Sequence, residues 1–160
     1  MATEAETQSI AEALTGKELP AVGTPYMSVF EAMAIAKAGR TDDALTRIGE
    51  IWGGMLANGA TTFYEGFDPA ESGRQHLVFY DRPYGKSLCH AWGAGPLFLL
   101  PQLLAGIEPA EDGWKTFRVN PLKNITCAVA VPAPHGVIEV EIEDGKVVVC
   151  NAPDGCTRIR

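Results

Sequence analysis

Two short stretches hold the residue types with the most chemistry. The first, Gly59-Ala60-Thr61-Thr62-Phe63-Tyr64-Glu65, sets one carboxylate beside aromatic rings. The second, Ser87-Leu88-Cys89-His90-Ala91-Trp92, adds an imidazole and an indole further along the chain. Together these groups suit a sugar pocket, because rings stack on the apolar faces of a pyranose while charged groups bond its hydroxyls or activate water. Each residue also has a plainer reading. Glu65 taken alone is equally a surface glutamate after a helix. Its neighbours Phe63, Tyr64 and Phe67 are too apolar for a freely solvated loop, however, and Gly59 and Gly66 allow close backbone approach. His90 reads as a structural histidine near a helix start, and Trp92 as a core residue. The small residues Gly93-Ala94-Gly95 behind them leave room for a ligand or for another helix at close range.

Other candidates carry less. Ser87 is expected to cap a helix, which occupies its hydroxyl, and no G-x-S-x-G elbow is present. Tyr26 follows a helix start and is expected to pack in the core. Gly53-Gly54 falls inside a helix, where it cradles no phosphate and permits tight helix contact. Phe79-Tyr80-Asp81-Arg82-Pro83-Tyr84 reads as a loop that either walls a site or covers the core. The four cysteines, Cys89, Cys127, Cys150 and Cys156, lack C-x-x-C spacing, and the histidines His76, His90 and His135 are scattered. No metal or organic cofactor is indicated. Cys150 and Cys156 flank a turn and would bridge only if oxidised; reduced thiols are the expectation for a cytosolic protein.

The elements that must position these groups can be read from periodicity. A helix is expected from Thr24-Pro25, with Thr24 as cap, Pro25 in the first turn and Gly39 as a left-handed stop. A second helix follows, with Thr41 as cap, Asp42 and Asp43 at its positive end and Asn58-Gly59 closing it. Leu45, Ile48, Ile51 or Trp52, and Met55 form its apolar stripe. The short link between the two predicts an antiparallel αα-hairpin. A third helical segment is expected over roughly 87–104, kinked or divided by Pro96 and Pro101 and ended by Gly106, with a weaker helix near 4–14. Beyond the turn-rich Glu108-Pro109-Ala110-Glu111-Asp112-Gly113 the pattern changes to strands at 116–119, 125–131, 137–143 and 146–150. In the third of these, Ile138, Val140 and Ile142 alternate with Val137, Glu139, Glu141 and Glu143, and Asp144-Gly145 is a hairpin turn signal. The fold class is therefore α+β, with a helical part over residues 1–110 and an antiparallel β part over 111–160.

Composition is that of a globular chain. The 160 residues are 46% hydrophobic and 21% charged, with a net charge of −7. That charge repels nucleic acid and anionic lipid, and no basic cluster offsets it. No apolar run reaches the roughly 18–20 residues needed to span a bilayer, and the acidic N-terminal residues lack the signature of a signal peptide. Cytoplasmic residence is the expectation.

An ordered set of motifs resembles a known family. Gly23-Thr24-Pro25-Tyr26-Met27, Trp52-Gly53-Gly54-Met55-Leu56, the stretch ending in Glu65, the stretch ending in Trp92, and Gly95-Pro96 look like the C-terminal part of bacterial α-L-rhamnosidases. The likeness runs from about residue 20 to the end. It implies a partial α/α-toroid of about two helical hairpins, followed by a small antiparallel β-sandwich-like domain. It also implies an inverting hydrolase that releases terminal α-L-rhamnose from an oligosaccharide or glycoside. In that family the glutamate closing G-A-T-T-x-x-E is the general base, which maps onto Glu65. The histidine of S-x-x-H-x-W contacts the sugar and maps onto His90, with Trp92 lining or supporting the pocket. Tyr64 stands where tryptophan is usual and is taken as a further substrate contact. The family's general acid lies upstream of the matched region. A toroid of six hairpins has about twelve helices, and this sequence yields only three or four. The resemblance therefore implies the end of a larger enzyme, inactive alone, whose uncovered helix faces invite self-association or complementation by N-terminal helices. The alternative is a non-catalytic carbohydrate-binding or assembly module.

Overall fold

The structure, a computed structural model, describes residues 2–16 and 23–160. The first residues of the stretch that begins near 20 thus lie outside the described residues. The fold is α+β. It divides into two compact units, one ending at Pro96 and the other spanning Leu97–Arg160.

The first unit is helical. α1, Glu4–Thr15, opens with a reciprocal cap in which Thr3 accepts from the Glu6 N–H and the Glu6 carboxylate accepts from the Thr3 N–H. α2, Pro25–Lys37, starts as the sequence predicts: Thr24 is extended, its hydroxyl oxygen accepts from the Met27 N–H, and Pro25 takes the first turn. Ser28, Val29, Ala32 and Ile35 are buried, and Gly39 ends the helix at φ +82°. α2 packs on α3, Thr41–Ile48, across the link Ala38-Gly39-Arg40. The expected cap at Thr41 is displaced by one residue. Arg40 occupies that position without a capping side chain, and its guanidinium instead reaches Asp43 at 2.6 Å.

The helix does not stop at Ile48. Its backbone continues through a wider π turn, Gly49–Gly53, into α4, Gly54–Ala57. Three glycines in this stretch remove the side-chain crowding that holds a regular α turn. Ile48, Trp52 and Met55 are buried as expected, and Ile51 is buried with Trp52 rather than instead of it. Leu45 is only half-buried, and Ala44 fills that place in the core. Gly54 makes room for a ring rather than for a helix: a Cβ there would lie 2.5 Å from the Phe67 ring.

The expected helix over 87–104 is shorter. Residues 87–90 are irregular, a 3-10 turn spans Ala91–Ala94, and α5 runs Gly95–Ala105 with Pro101 inside it. Ser87 caps nothing, because its backbone is engaged by a distant segment. Leu97 is exposed, and the buried leucine of this helix is Leu99.

In the second unit, β1, Ile107–Pro109, pairs antiparallel with β2, Thr116–Val119, which pairs in parallel with β6, Thr157–Arg158. The other sheet is an antiparallel meander of β3, Cys127–Ala133, β4, Gly136–Glu143, and β5, Lys146–Asn151. The alternation in β4 is realised: Ile138, Val140 and Ile142 are buried while Glu139, Glu141 and Glu143 are exposed. Asp144 and Gly145 turn the β4–β5 hairpin with φ of +48° and +72°, as a type I′ turn requires. Both sheets share one apolar core of Ile107, Phe117, Val119, Ile138, Val140 and Ile142. Each fully buried side chain of this size stabilises the fold by about 1.5–3 kcal/mol.

Candidate functional site

The two motif stretches lie side by side within the first unit. The His90 N–H donates to the Phe63 carbonyl at 2.8 Å, the Glu65 N–H donates to the Ser87 carbonyl at 2.9 Å, and the Thr62 hydroxyl donates to the Leu88 carbonyl. Segment 62–65 is thereby bracketed by 87–90 through two backbone–backbone bonds, which do not depend on side-chain identity, and one bond from the Thr62 hydroxyl. Gly93 completes the approach, since a Cβ there would lie 2.8 Å from the Tyr64 carbonyl oxygen. The buried Trp52 indole of the π turn donates to the Gly93 carbonyl at 2.7 Å and ties the bracket to the helical core.

Glu65 is half-buried, and its carboxylate is held by backbone. Its Oε2 accepts from the Ser87 N–H at 3.0 Å, and Oε1 has no hydrogen-bond partner among the described residues. The Trp92 Nε1–H donates to the Glu65 carbonyl at 3.3 Å. The carboxylate thus has one oxygen held by a backbone donor, while the backbone carbonyl of the same residue holds the Trp92 indole.

The rings form a continuous chain. His90 lies 4.3 Å from Trp92 between centroids, tilted by 37°, and Trp92 stacks on Tyr26 at 5.7 Å and 29°. Tyr26 meets Phe30 edge-on at 5.4 Å. Separations of this kind are those of favourable aromatic pairs. Tyr26 departs from its expected core role. It is 44% exposed, and from the first turn of α2 its ring stacks on the indole instead of entering the core. Its place in the first helical turn beside a motif was the signal that could have singled it out. Tyr64 lies the other way, 9% exposed and within the core. Glu65, His90 and Trp92 are thus brought together, Tyr26 joins them, and Tyr64 backs them from inside.

Comparison with solved structures places this geometry in context. The 1.9 Å crystal structure of a GH78 family rhamnosidase of Bacillus sp. GL1 matches with a TM-score of 0.66 and 28% sequence identity. The match covers 94% of this chain and 18% of that one, so the chain spans less than a fifth of that rhamnosidase. Neither the protein-family models nor the curated proteins give a match. The chain is therefore similar in fold, and distantly in sequence, to one part of a glycoside hydrolase. Among the described residues no helix is long and apolar enough to cross a membrane.

Proposed function

We propose that this chain carries the general base and part of the sugar-contact surface of an inverting glycoside hydrolase that releases terminal α-L-rhamnose, with the general acid supplied from outside these 160 residues. One observation carries the reading: the bracket of 62–65 by 87–93, which joins the segment carrying Glu65 to the segment carrying His90 and Trp92. The likeness to a GH78 family rhamnosidase supports the substrate class. On this reading residues 1–110 are the end of an α/α-toroid and 111–160 the β domain that follows it.

The geometry around Glu65 is compatible with this chemistry. Inversion places a water between two carboxyl groups about 6.5–9.5 Å apart, one removing its proton while the other protonates the leaving oxygen. Glu65 is the proton acceptor. With Oε2 fixed by the Ser87 amide, Oε1 takes the proton without the carboxylate having to reorient. His90 bonds a sugar hydroxyl, and Trp92 packs against both the imidazole and the Tyr26 ring. A binding module without catalysis is the second reading, favoured by the exposure of Tyr26, Phe30 and Trp92.

Titration of the labelled protein with L-rhamnose, followed by amide shifts, tests the site. The expected result is saturable binding, roughly millimolar or about −4 kcal/mol, with shifts centred on 62–65 and 87–93 that are lost in His90→Ala. Absence of any saturable shift, or shifts confined to the β unit, would overturn the proposal.

A further inference from the structure

A charged cluster around Lys86, the residue before Ser87, is not used by the chemistry above. The Lys86 side chain is 3% exposed, with Nζ 3.5 Å from Glu71 Oε2 and 5.9 Å from the centre of the Phe79 ring. His76, whose side chain is 7% exposed, faces the same Glu71 oxygen at 3.9 Å. Its ring lies parallel to Phe67 at 5.2 Å, and its Nδ1 has no hydrogen-bond partner among the described residues. A buried ammonium is costly without a counter-charge, so the position of Glu71 dictates where Lys86 settles. The Lys86 backbone is also pinned, its N–H donating to the Leu77 carbonyl at 3.1 Å. The peptide that joins Lys86 to Ser87 carries the very N–H that grips Glu65 Oε2.

We propose that Glu71 is a positioning residue for the Glu65 carboxylate, acting through the buried Lys86 ammonium, with His76 closing the other side of the Glu71 oxygen. This rests on Glu65 being the working carboxylate. Glu71 touches neither substrate nor water in the reaction. It orients the 86–87 peptide plane, and through that plane the amide that holds Oε2.

The amide signal of Ser87 reads this directly. A backbone N–H bonded to a carboxylate resonates downfield of one bonded to a neutral amide, so Glu65→Gln should move the Ser87 amide proton upfield. That displacement is then measured again in a Glu71→Gln background, which keeps shape and removes charge. The expected result is a displacement reduced to roughly half or less, a coupling of the kind a double-mutant cycle isolates. Should Glu71→Gln fail to fold because it strands the ammonium, the double variant Glu71→Gln/Lys86→Met leaves no unpaired charge and serves in its place. The full wild-type displacement in either background would overturn the proposal. A general loss of stability does not produce the expected result, because the shift is read in the folded state. No sugar enters the measurement, so failure to bind rhamnose and failure of this coupling are separate outcomes.

Discussion

Glu31 sits where burial and charge pull in opposite directions. Its side chain is 9% exposed, and its carboxylate lies 3.3 Å from the Arg47 guanidinium. Burial raises its pKa above the ordinary 4.5, Arg47 pulls it down by less, and Glu50 adds a further push upward. Arg47 cannot serve Glu31 fully, because it also meets Glu50 at 3.2 Å and the Leu14 carbonyl at 3.4 Å. A carboxyl whose folded pKa lies above its unfolded one contributes stability below the unfolded value and loses that contribution as pH rises through the folded value. At neutral pH the ionised Glu31 therefore costs stability. Glu31→Gln is expected to raise the thermal midpoint at pH 7, and the gain should vanish as pH falls toward 4. Melting curves at both pH values check this, and a lowered midpoint at pH 7 would count against the sign. The same contrast separates Glu31 from Glu65. Both are carboxylates in partly apolar surroundings, but only Glu65 has a backbone donor fixing one oxygen, and that bond joins residues far apart in sequence.

At the scale of elements, local rules succeed where the deciding interaction is local. The Thr24-Pro25 start, the Gly39 stop, the β4 alternation and the Asp144-Gly145 turn each depend on residues a few positions apart, and each is found as read. The helix expected over 87–104 is cut back because residues 87–90 give their backbone groups to 63–65, a competitor that no local window contains. The candidate site shares this limit. Its residue types stood out in the sequence, but the bracket that joins them, the exposure of Tyr26 and the burial of Tyr64 are set by packing. The π turn shows the same principle with a measurable consequence. Alanine is the better helix former, so Gly54→Ala would stabilise an isolated helix by about 1 kcal/mol. Here the new methyl group meets the Phe67 ring at 2.5 and 2.8 Å. Overpacking of this kind costs about 1–3 kcal/mol, so the expected net effect is destabilisation. A lower urea midpoint with unchanged slope would bear this out, and a higher midpoint would show that Phe67 moves aside freely.

At the scale of the whole molecule, the proposed reading turns on what one carboxylate, held by a backbone donor at a single oxygen, achieves. The match to a GH78 family rhamnosidase covers 18% of that chain, so four-fifths of the structure surrounding the equivalent region there has no counterpart in these residues. Proton transfer by a positioned group contributes roughly 10²–10⁴-fold to a rate. That is small against the total acceleration such enzymes achieve, which is about 10⁶–10¹⁷-fold. On the proposed reading, a base with no acid opposite it leaves the glycosidic oxygen to depart unprotonated, and a ring surface open to solvent neither excludes water nor distorts the sugar. Binding and turnover are therefore expected to separate. The chain should show the saturable shifts with L-rhamnose described above while giving no release from a chromogenic α-L-rhamnoside above the buffer rate, even at high protein concentration and long incubation. Turnover that is abolished by Glu65→Gln would show that a second carboxyl group within these residues completes the pair, and would overturn the assignment of the acid to a partner region.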